Sequence, residues 1–295
     1  MSNQKYEAFI KTAELGSFKK AAAELGYTQA GISYIINALE DEFGVPLFLR
    51  DYGGVRLTGD GEQLLPWVRD VCNSERRLNS KLAELKSLES GMIRIAAFTS
   101  VSIHWLPGMI QAFLRDHPKV EFDLRWSEDI DELEQMIRKG DVDCGFLIFP
   151  VKSDLDIIPL KREPFLAVLP EGHPLADVPY FPTSALSEYP YIQLKEGKYS
   201  EMNEVYSRLE VNPNVYIAAE HDYVVMALVS KGFGFSIFPE LSLLGPTFPL
   251  VVKELERPVY RELAIAVRSR RTASIATLKF LDCVQNWVEE FYRRK

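Results

Sequence analysis

Residues 28–37 read Thr-Gln-Ala-Gly-Ile-Ser-Tyr-Ile-Ile-Asn, and two faces separate at helical spacing. Ile32, Ile35, Ile36, Leu39 and Phe43 recur at steps of three and four and mark an apolar side. The other side carries Gln29, Ala30, Ser33, Tyr34 and Asn37. Glutamine and asparagine pair bidentately with adenine edges, and serine reaches a base or a phosphate. Tyr34 offers a hydroxyl or an apolar contact to a thymine methyl. Thr28 is the expected N-cap, and amides at a helix start receive phosphate. Lys19, Lys20, Arg50 and Arg56 are candidate phosphate contacts, the two arginines flanking Gly53-Gly54.

This chemistry needs a helix lifted clear of its own body. Tyr6, Phe9, Ile10 and Ala13 predict a first helix ending at Gly16; Phe18, Ala21, Ala22 and Leu25 predict a second, closed by Gly26. Two short helices joined by a glycine turn form a helix-turn-helix, whose second helix fits a major groove about 12 Å wide. Leu47–Leu49 and Val55–Leu57 predict a hairpin around Asp51-Tyr52-Gly53-Gly54. The alternative is a three-helix packing module, favoured by the acidic run Glu40-Asp41-Glu42, which a phosphate would repel.

Charge does not supply the argument for DNA. The 295-residue chain carries 34 basic and 42 acidic residues, a net charge of −8. Residues 1–90 hold 11 Lys and Arg against 13 Asp and Glu, so the charges must act through their placement.

A long helix is expected from about Thr58 to Leu88, with Leu64, Val68, Val71, Leu78, Leu82 and Leu85 in alternating steps of three and four. Such a seam needs a partner, and pairing with a second copy is expected over packing on the chain's own body. From Met92 the pattern becomes β-α-β-α-β through Phe149, the signature of a mostly parallel sheet between helices. A second α/β unit follows, and extended crossings near 160–168 and 260–268 suggest two lobes with a ligand cleft between them.

The residues that carry this reading resemble a known family. Gly16-Ser17-Phe18-Lys19-Lys20-Ala21-Ala22, Thr28 to Ser33, Ile36 to Glu40, Phe43 to Phe48, Arg50 and Arg56 to Gly61 resemble the DNA-binding region of LysR-type transcriptional regulators, in unbroken order. Gly91 to Ala96, Leu106-Pro107, His117-Pro118, Gly140 to Asp143, His173 to Ala176 and Gly232-Phe233-Gly234 resemble that family's effector domain, more loosely after residue 150. The implied fold is an N-terminal winged helix-turn-helix (1–60), a long linker and dimerisation helix (58–90), and a C-terminal bilobal α/β effector domain (91–295) resembling type 2 periplasmic binding proteins. Lobe I is expected over 91–162 and 266–295, lobe II over 163–265.

The resemblance implies a cytoplasmic, sequence-specific DNA-binding regulator, not an enzyme. Its partners would be operator DNA, itself as homodimer or homotetramer, and RNA polymerase if it activates. A small-molecule effector is implied, with no other cofactor and no metal. Its contacts are expected at Thr99, Ser100 and Ser102, with Trp126, Ser127, Phe149, Lys195, Ser200 and His221 as further lining. Ser100, Ser102 and Lys195 suit a carboxylate, whereas Trp126, Phe149 and Phe233 equally suit an aromatic ligand. A bilobal binding protein or corepressor that dimerises without touching DNA, and an α/β enzyme, are the alternatives. Three departures stand out: the family usually has proline at position 30, a basic or polar residue at 34, and arginine or lysine at 37. This recognition helix is less basic than its relatives.

No apolar stretch is long enough to cross a bilayer, and no signal-peptide core follows Met1. Cys72, Cys144 and Cys283 form no C-x-x-C pair and none has an adjacent basic residue, so inert thiols are expected. His104, His117, His173 and His221 lack metal-ligand spacing, and no catalytic or phosphate-loop motif is present.

Overall fold

The computed structural model describes residues 2–51, 54–86, 90–152, 154–195, 201–245 and 248–293. It divides into two compact units. The first contains α1 (Ser2–Leu15), α2 (Phe18–Leu25), α3 (Gln29–Phe43), β1 (Phe48–Asp51), β2 (Gly54–Leu57) and α4 (Gly59–Lys86). Local chemistry sets these boundaries. Ser17 caps α2 by accepting from Lys20, Thr28 caps α3 by accepting from the Gly31 amide at 3.0 Å, and both helices end in a left-handed glycine, Gly26 and Gly44. Thr58 donates its hydroxyl to the Pro46 carbonyl at 2.7 Å and accepts from the Gly61 amide at 2.9 Å, tying the start of α4 to the end of the preceding loop. The core joins Phe9, Phe18, Ile32, Ile36, Leu39, Leu47 and Phe48, with Phe48 meeting Phe9 and Phe18 edge-on. β1 and β2 form the expected antiparallel hairpin; Tyr52 and Gly53 at its tip lie outside the described residues.

The second unit runs β3 (Ser90–Ala97), α5 (Thr99–His104), α6 (Leu106–Asp116), β4 (Lys119–Trp126), α7 (Ile130–Lys139), β5 (Cys144–Ile148) and β6 (Asp156–Pro170). It continues with α8 (Ala185–Glu188), β7 (Tyr191–Leu194), α9 (Glu201–Leu209), β8 (Val215–Ala219), α10 (Asp222–Ser230), β9 (Ser236–Pro239), β10 (Leu250–Glu254), β11 (Tyr260–Val267) and α11 (Ile275–Arg293). The main sheet has the order β10-β6-β11-β5-β3-β4, with β9 also on β6. One lobe is built on Ile93, Ile95, Trp105, Met109, Phe146, Ile265 and Phe280, with α6 and α11 packed together. The other has two cores, around Phe181, Tyr191 and Phe235, and around Ile192, Val225 and Phe238. β6 joins them, placing Ile158 in the first lobe and Phe165, Ala167 and Leu169 in the second.

Three features differ from the sequence expectation. Among the described residues the strands of the expected β-α-β-α-β run, β4-β3-β5, pair in parallel as expected, as does the separate β7-β8 pair. The strands that complete the main sheet, β11, β6, β9 and β10, instead pair antiparallel. The first helix of the β-α-β-α-β pattern is in fact two, α5 and α6, broken at Trp105 just ahead of Pro107. β10 is a strand that the sequence pattern does not announce, since its apolar residues Leu250, Val251 and Val252 are consecutive instead of alternating.

Candidate functional site

α3 presents two unlike faces. Ile32, Ile36 and Leu39 are fully buried, while Gln29, Ala30, Tyr34 and Asn37 are exposed and Ser33 is half-buried. Tyr34 is 76% exposed, far more than an aromatic ring retained for packing. Lys19 and Lys20 are exposed in the first turn of α2, and Arg56 is exposed on β2. Arg50 pairs with Val55 across the hairpin through its backbone; its side chain lies outside the described residues. The acidic run has work inside the fold. Glu40 accepts from the amides of Leu47 at 2.7 Å and Phe48 at 3.1 Å, and Glu42 pairs with Lys5 at 2.8 Å.

The seam of α4 is corrected by the structure. Val68 is buried and Leu64 half-buried against the helix-turn-helix core, alongside Cys72, so both serve the chain's own body. Val71, Leu78 and Leu82 are exposed, and Leu85 lies outside the residues whose side chains are described. Trp67, absent from the sequence expectation, joins the exposed stripe at 70% exposure. It sits one turn before Val71, a signal hidden by the stronger Leu64–Val68 step.

Between the lobes of the second unit, Phe98, Ser100, Glu128, Ile130, Ile148, Leu194, Glu201, Asp222, Pro239, Ser242 and Arg261 enclose a cavity of about 30 Å³. Arg261 on β11 is its hub. Its Nε donates to Glu163 at 2.5 Å, one terminal nitrogen to Glu201 at 2.7 Å and the other to Ser100 Oγ at 3.1 Å. The second oxygen of Glu163 accepts from the Leu241 amide at 2.9 Å. Burial alone would lower the Arg261 pKa, but Glu163 and Glu201 outweigh it and hold the guanidinium protonated. Burial pushes Glu201 up, against the pull of Arg261. Asp222 is also pushed up, first by burial and then by Glu128. Glu128 in turn accepts from the amide of Thr99 at 3.1 Å and from its hydroxyl.

Of the expected effector contacts, Ser100 lines this cavity and Phe149 lines an adjoining one of about 370 Å³. The others are placed differently. Thr99 is turned to Glu128 and to the indole of Trp126, which donates to it at 2.8 Å. Trp126 itself is 63% exposed on β4, at the margin of the sheet. Ser127 donates to Glu132 and caps the turn into α7, and Ser102 is half-buried on α5 away from the cavity lining. Lys195 is exposed at the end of β7. His221 caps α10 by accepting from the Tyr223 amide at 3.3 Å and borders an apolar surface hollow with Val224 and Leu228. Ser200 lies outside the described residues. The charged lining of Glu128, Glu201, Asp222 and Arg261 is absent from the sequence expectation, although an arginine leading into the apolar run Leu263–Val267 is a visible oddity. Among the described residues no group of acidic, histidine or cysteine side chains is arranged to hold a metal, and no helix is long and apolar enough to cross a membrane.

Known proteins share this arrangement. Residues 4–62 match the family model of the bacterial regulatory helix-turn-helix protein, lysR family, and residues 86–289 match that of the LysR substrate binding domain. The HTH-type transcriptional regulator YvbU of Bacillus subtilis (strain 168) is 30% identical over 96% of this chain and 97% of its own length. A full-length OxyR variant from Pseudomonas aeruginosa superposes with a TM-score of 0.72 at 20% identity, covering 98% of this chain and 95% of that one. Full-length CbnR in complex with its target DNA gives 0.68 at 20% identity, covering 97% of this chain and 100% of that one. With a helix-turn-helix and an effector-binding domain both matched in order, the chain belongs to the LysR family of DNA-binding transcriptional regulators.

Proposed function

We propose that α3 reads operator DNA through Gln29, Ala30, Ser33, Tyr34 and Asn37, with Thr28, Lys19, Lys20, Arg50 and Arg56 holding phosphates. The carrying observation is the outward face of α3, which presents amide and phenol side chains while its opposite face is fully buried. The tethering of Glu40 and Glu42 supports it, since one carboxylate is bound to wing amides and the other to a lysine. The exposed stripe Trp67-Val71-Leu78-Leu82 supports pairing of two copies through α4. The cavity at Arg261, in a domain matched to the LysR substrate binding domain, supports a small-molecule effector held between the lobes.

Fluorescence anisotropy on duplexes from the promoter beside the protein's own gene tests this reading. The logarithm of affinity falls linearly with the logarithm of salt concentration, with a slope of about −0.9 per neutralised phosphate. Arg56→Ala weakens all sequences alike, whereas Asn37→Ala costs about 1 to 3 kcal/mol, chiefly on the preferred site. A flat salt dependence, or Asn37→Ala binding every duplex as the parent does, overturns it.

A further inference from the structure

The cavity between the lobes has an unbalanced lining. Glu128, Glu201 and Asp222 face it with a single guanidinium, that of Arg261. The hydrogen bonds of Arg261 already run to Glu163, Glu201 and Ser100, so its charge is answered within the protein. Glu128 and Asp222 add two further carboxylates to the lining; Arg261 and His221 draw on Asp222 from nearby, but burial and Glu128 outweigh them, so acids outnumber the one guanidinium there. An entering carboxylate would add a like charge to a small, enclosed site, beside acids that already disfavour ionisation. The upward displacement of both Glu201 and Asp222 has burial as its first cause, and Glu128 adds to each. Independently of these acids, an enclosed space with apolar walls of Phe98, Ile130, Ile148 and Leu194 marks a ligand site in a domain matched to a substrate-binding family.

Size decides how such a ligand lies. About 30 Å³ takes a head group and no more, but the 370 Å³ cavity beside it shares Ile148, Glu201 and Arg261. The larger space has apolar walls of Phe149, Phe165, Val205 and Val259 and, beside them, the charged side chains of Arg162, Glu204, Arg208 and Glu262, with the Arg162 guanidinium stacked 4.1 Å over the Tyr260 ring. The geometry points to an organic cation as the effector: a primary ammonium or amidinium head among Glu128, Glu201 and Asp222, on a body directed into the adjoining cavity, whose mixed lining suits a chain with both apolar and polar groups. This inference rests on the effector reading above and specifies its ligand class. It replaces the carboxylate suggested by Ser100, Ser102 and Lys195, because Ser102 and Lys195 do not line the cavity and Ser100 stands there among Glu128, Glu201 and Asp222.

The test uses the full chain and two matched probe pairs at equal ionic strength: hexylamine against hexanoate, and putrescine against succinate. Thermal unfolding and titration calorimetry are the readouts, since a ligand that binds only the folded state raises its melting temperature. At least one amine is expected to raise the melting temperature saturably, with neither carboxylate doing so. Asp222→Asn is expected to weaken that amine about tenfold or more. Glu128→Gln repeats the measurement if Asp222→Asn does not fold. Stabilisation by a carboxylate, lost on Arg261→Gln, overturns the charge class while leaving an effector cleft in place. Amine binding unchanged in both acid variants overturns the site, and no response to either amine overturns the proposal. A flat salt dependence of DNA binding is the separate outcome that sinks the wider reading.

Discussion

The Glu40 carboxylate on α3 accepts the backbone amide of Leu47 at 2.7 Å and reaches the Phe48 amide with the same oxygen. One side chain of the recognition helix thereby anchors the first strand of the wing. The link spans the turn in which Gly44, in the left-handed region, ends α3 ahead of Pro46. A carboxylate that looks hostile to DNA in sequence is a structural brace.

Glu40→Ala is expected to leave both amides without this acceptor and to destabilise the N-terminal unit by about 1 to 3 kcal/mol. Glu40→Gln, which keeps an acceptor oxygen but loses the charge, should cost less. Urea unfolding followed by far-ultraviolet circular dichroism measures both, and equal stability of all three proteins would remove the brace.

Gly61, in the first turn of α4, has a different constraint. A Cβ there would stand 2.3 Å from the Leu47 carbonyl oxygen and 3.1 Å from the Leu57 side chain. The nearest obstacle is backbone, which cannot swing away. Gly61→Ala is expected to cost about 1 to 3 kcal/mol despite alanine's higher helix propensity. A stabilised Gly61→Ala protein in the same unfolding assay would contradict the packing.

The two sides of α4 are unlike, one packed into the N-terminal core and the other exposed. Leu78→Asp, on the exposed stripe, is expected to lower the particle mass in light scattering while leaving the unfolding midpoint of the monomer fold nearly unchanged. Val68→Asp, at a buried position, is expected to unfold the N-terminal unit instead, because it places an unpaired charge among Phe9 and its neighbours. An unchanged mass for Leu78→Asp would show that this stripe does not hold the copies together.

Acid–base behaviour follows from Asp222. Its carboxyl is pushed above the ordinary aspartate value by burial first and Glu128 next, so the folded state holds its proton more tightly than the unfolded chain. Folding stability from this group is fully present below the unfolded pKa of about 3.9 and is lost as pH rises through the folded value. Asp222→Asn removes that loss. Relative to the parent, the variant should gain stability as pH rises across the carboxylate range, with no such gain in strong acid. A stability difference independent of pH would contradict the cause assigned.

Cys144 opens β5 and is fully buried. Burial first, then Asp143, raise its thiol well above the ordinary value, which suppresses the thiolate that peroxide or an alkylating reagent attacks. Native-state labelling with iodoacetamide, read by mass spectrometry, is expected to leave Cys144 unmodified. Cys144→Ser is expected to keep the parent's DNA binding in the presence of peroxide. Rapid labelling of Cys144 in the folded protein would reverse this.

The helix-turn-helix was legible in the chain because its instructions are local. Thr28 and Ser17 cap helices whose amides lie within three residues, Gly26 and Gly44 end them, and the apolar repeat from Ile32 assigns the opposite face to solvent. The faces of α4 were only half legible. Periodicity placed Val68 and Val71 on one stripe, yet the helix-turn-helix core takes the first and leaves the second exposed. A repeat defines directions around a helix and is silent about which body lies in each direction. The cleft was least legible of all. Arg261 meets Glu163 across 98 residues and Ser100 across 161, and those encounters exist because β6 and β11 cross between the lobes side by side. Pairing strands that far apart is a property of the folded sheet, so the charged lining of the cavity between the lobes appears only once the chain has closed on itself.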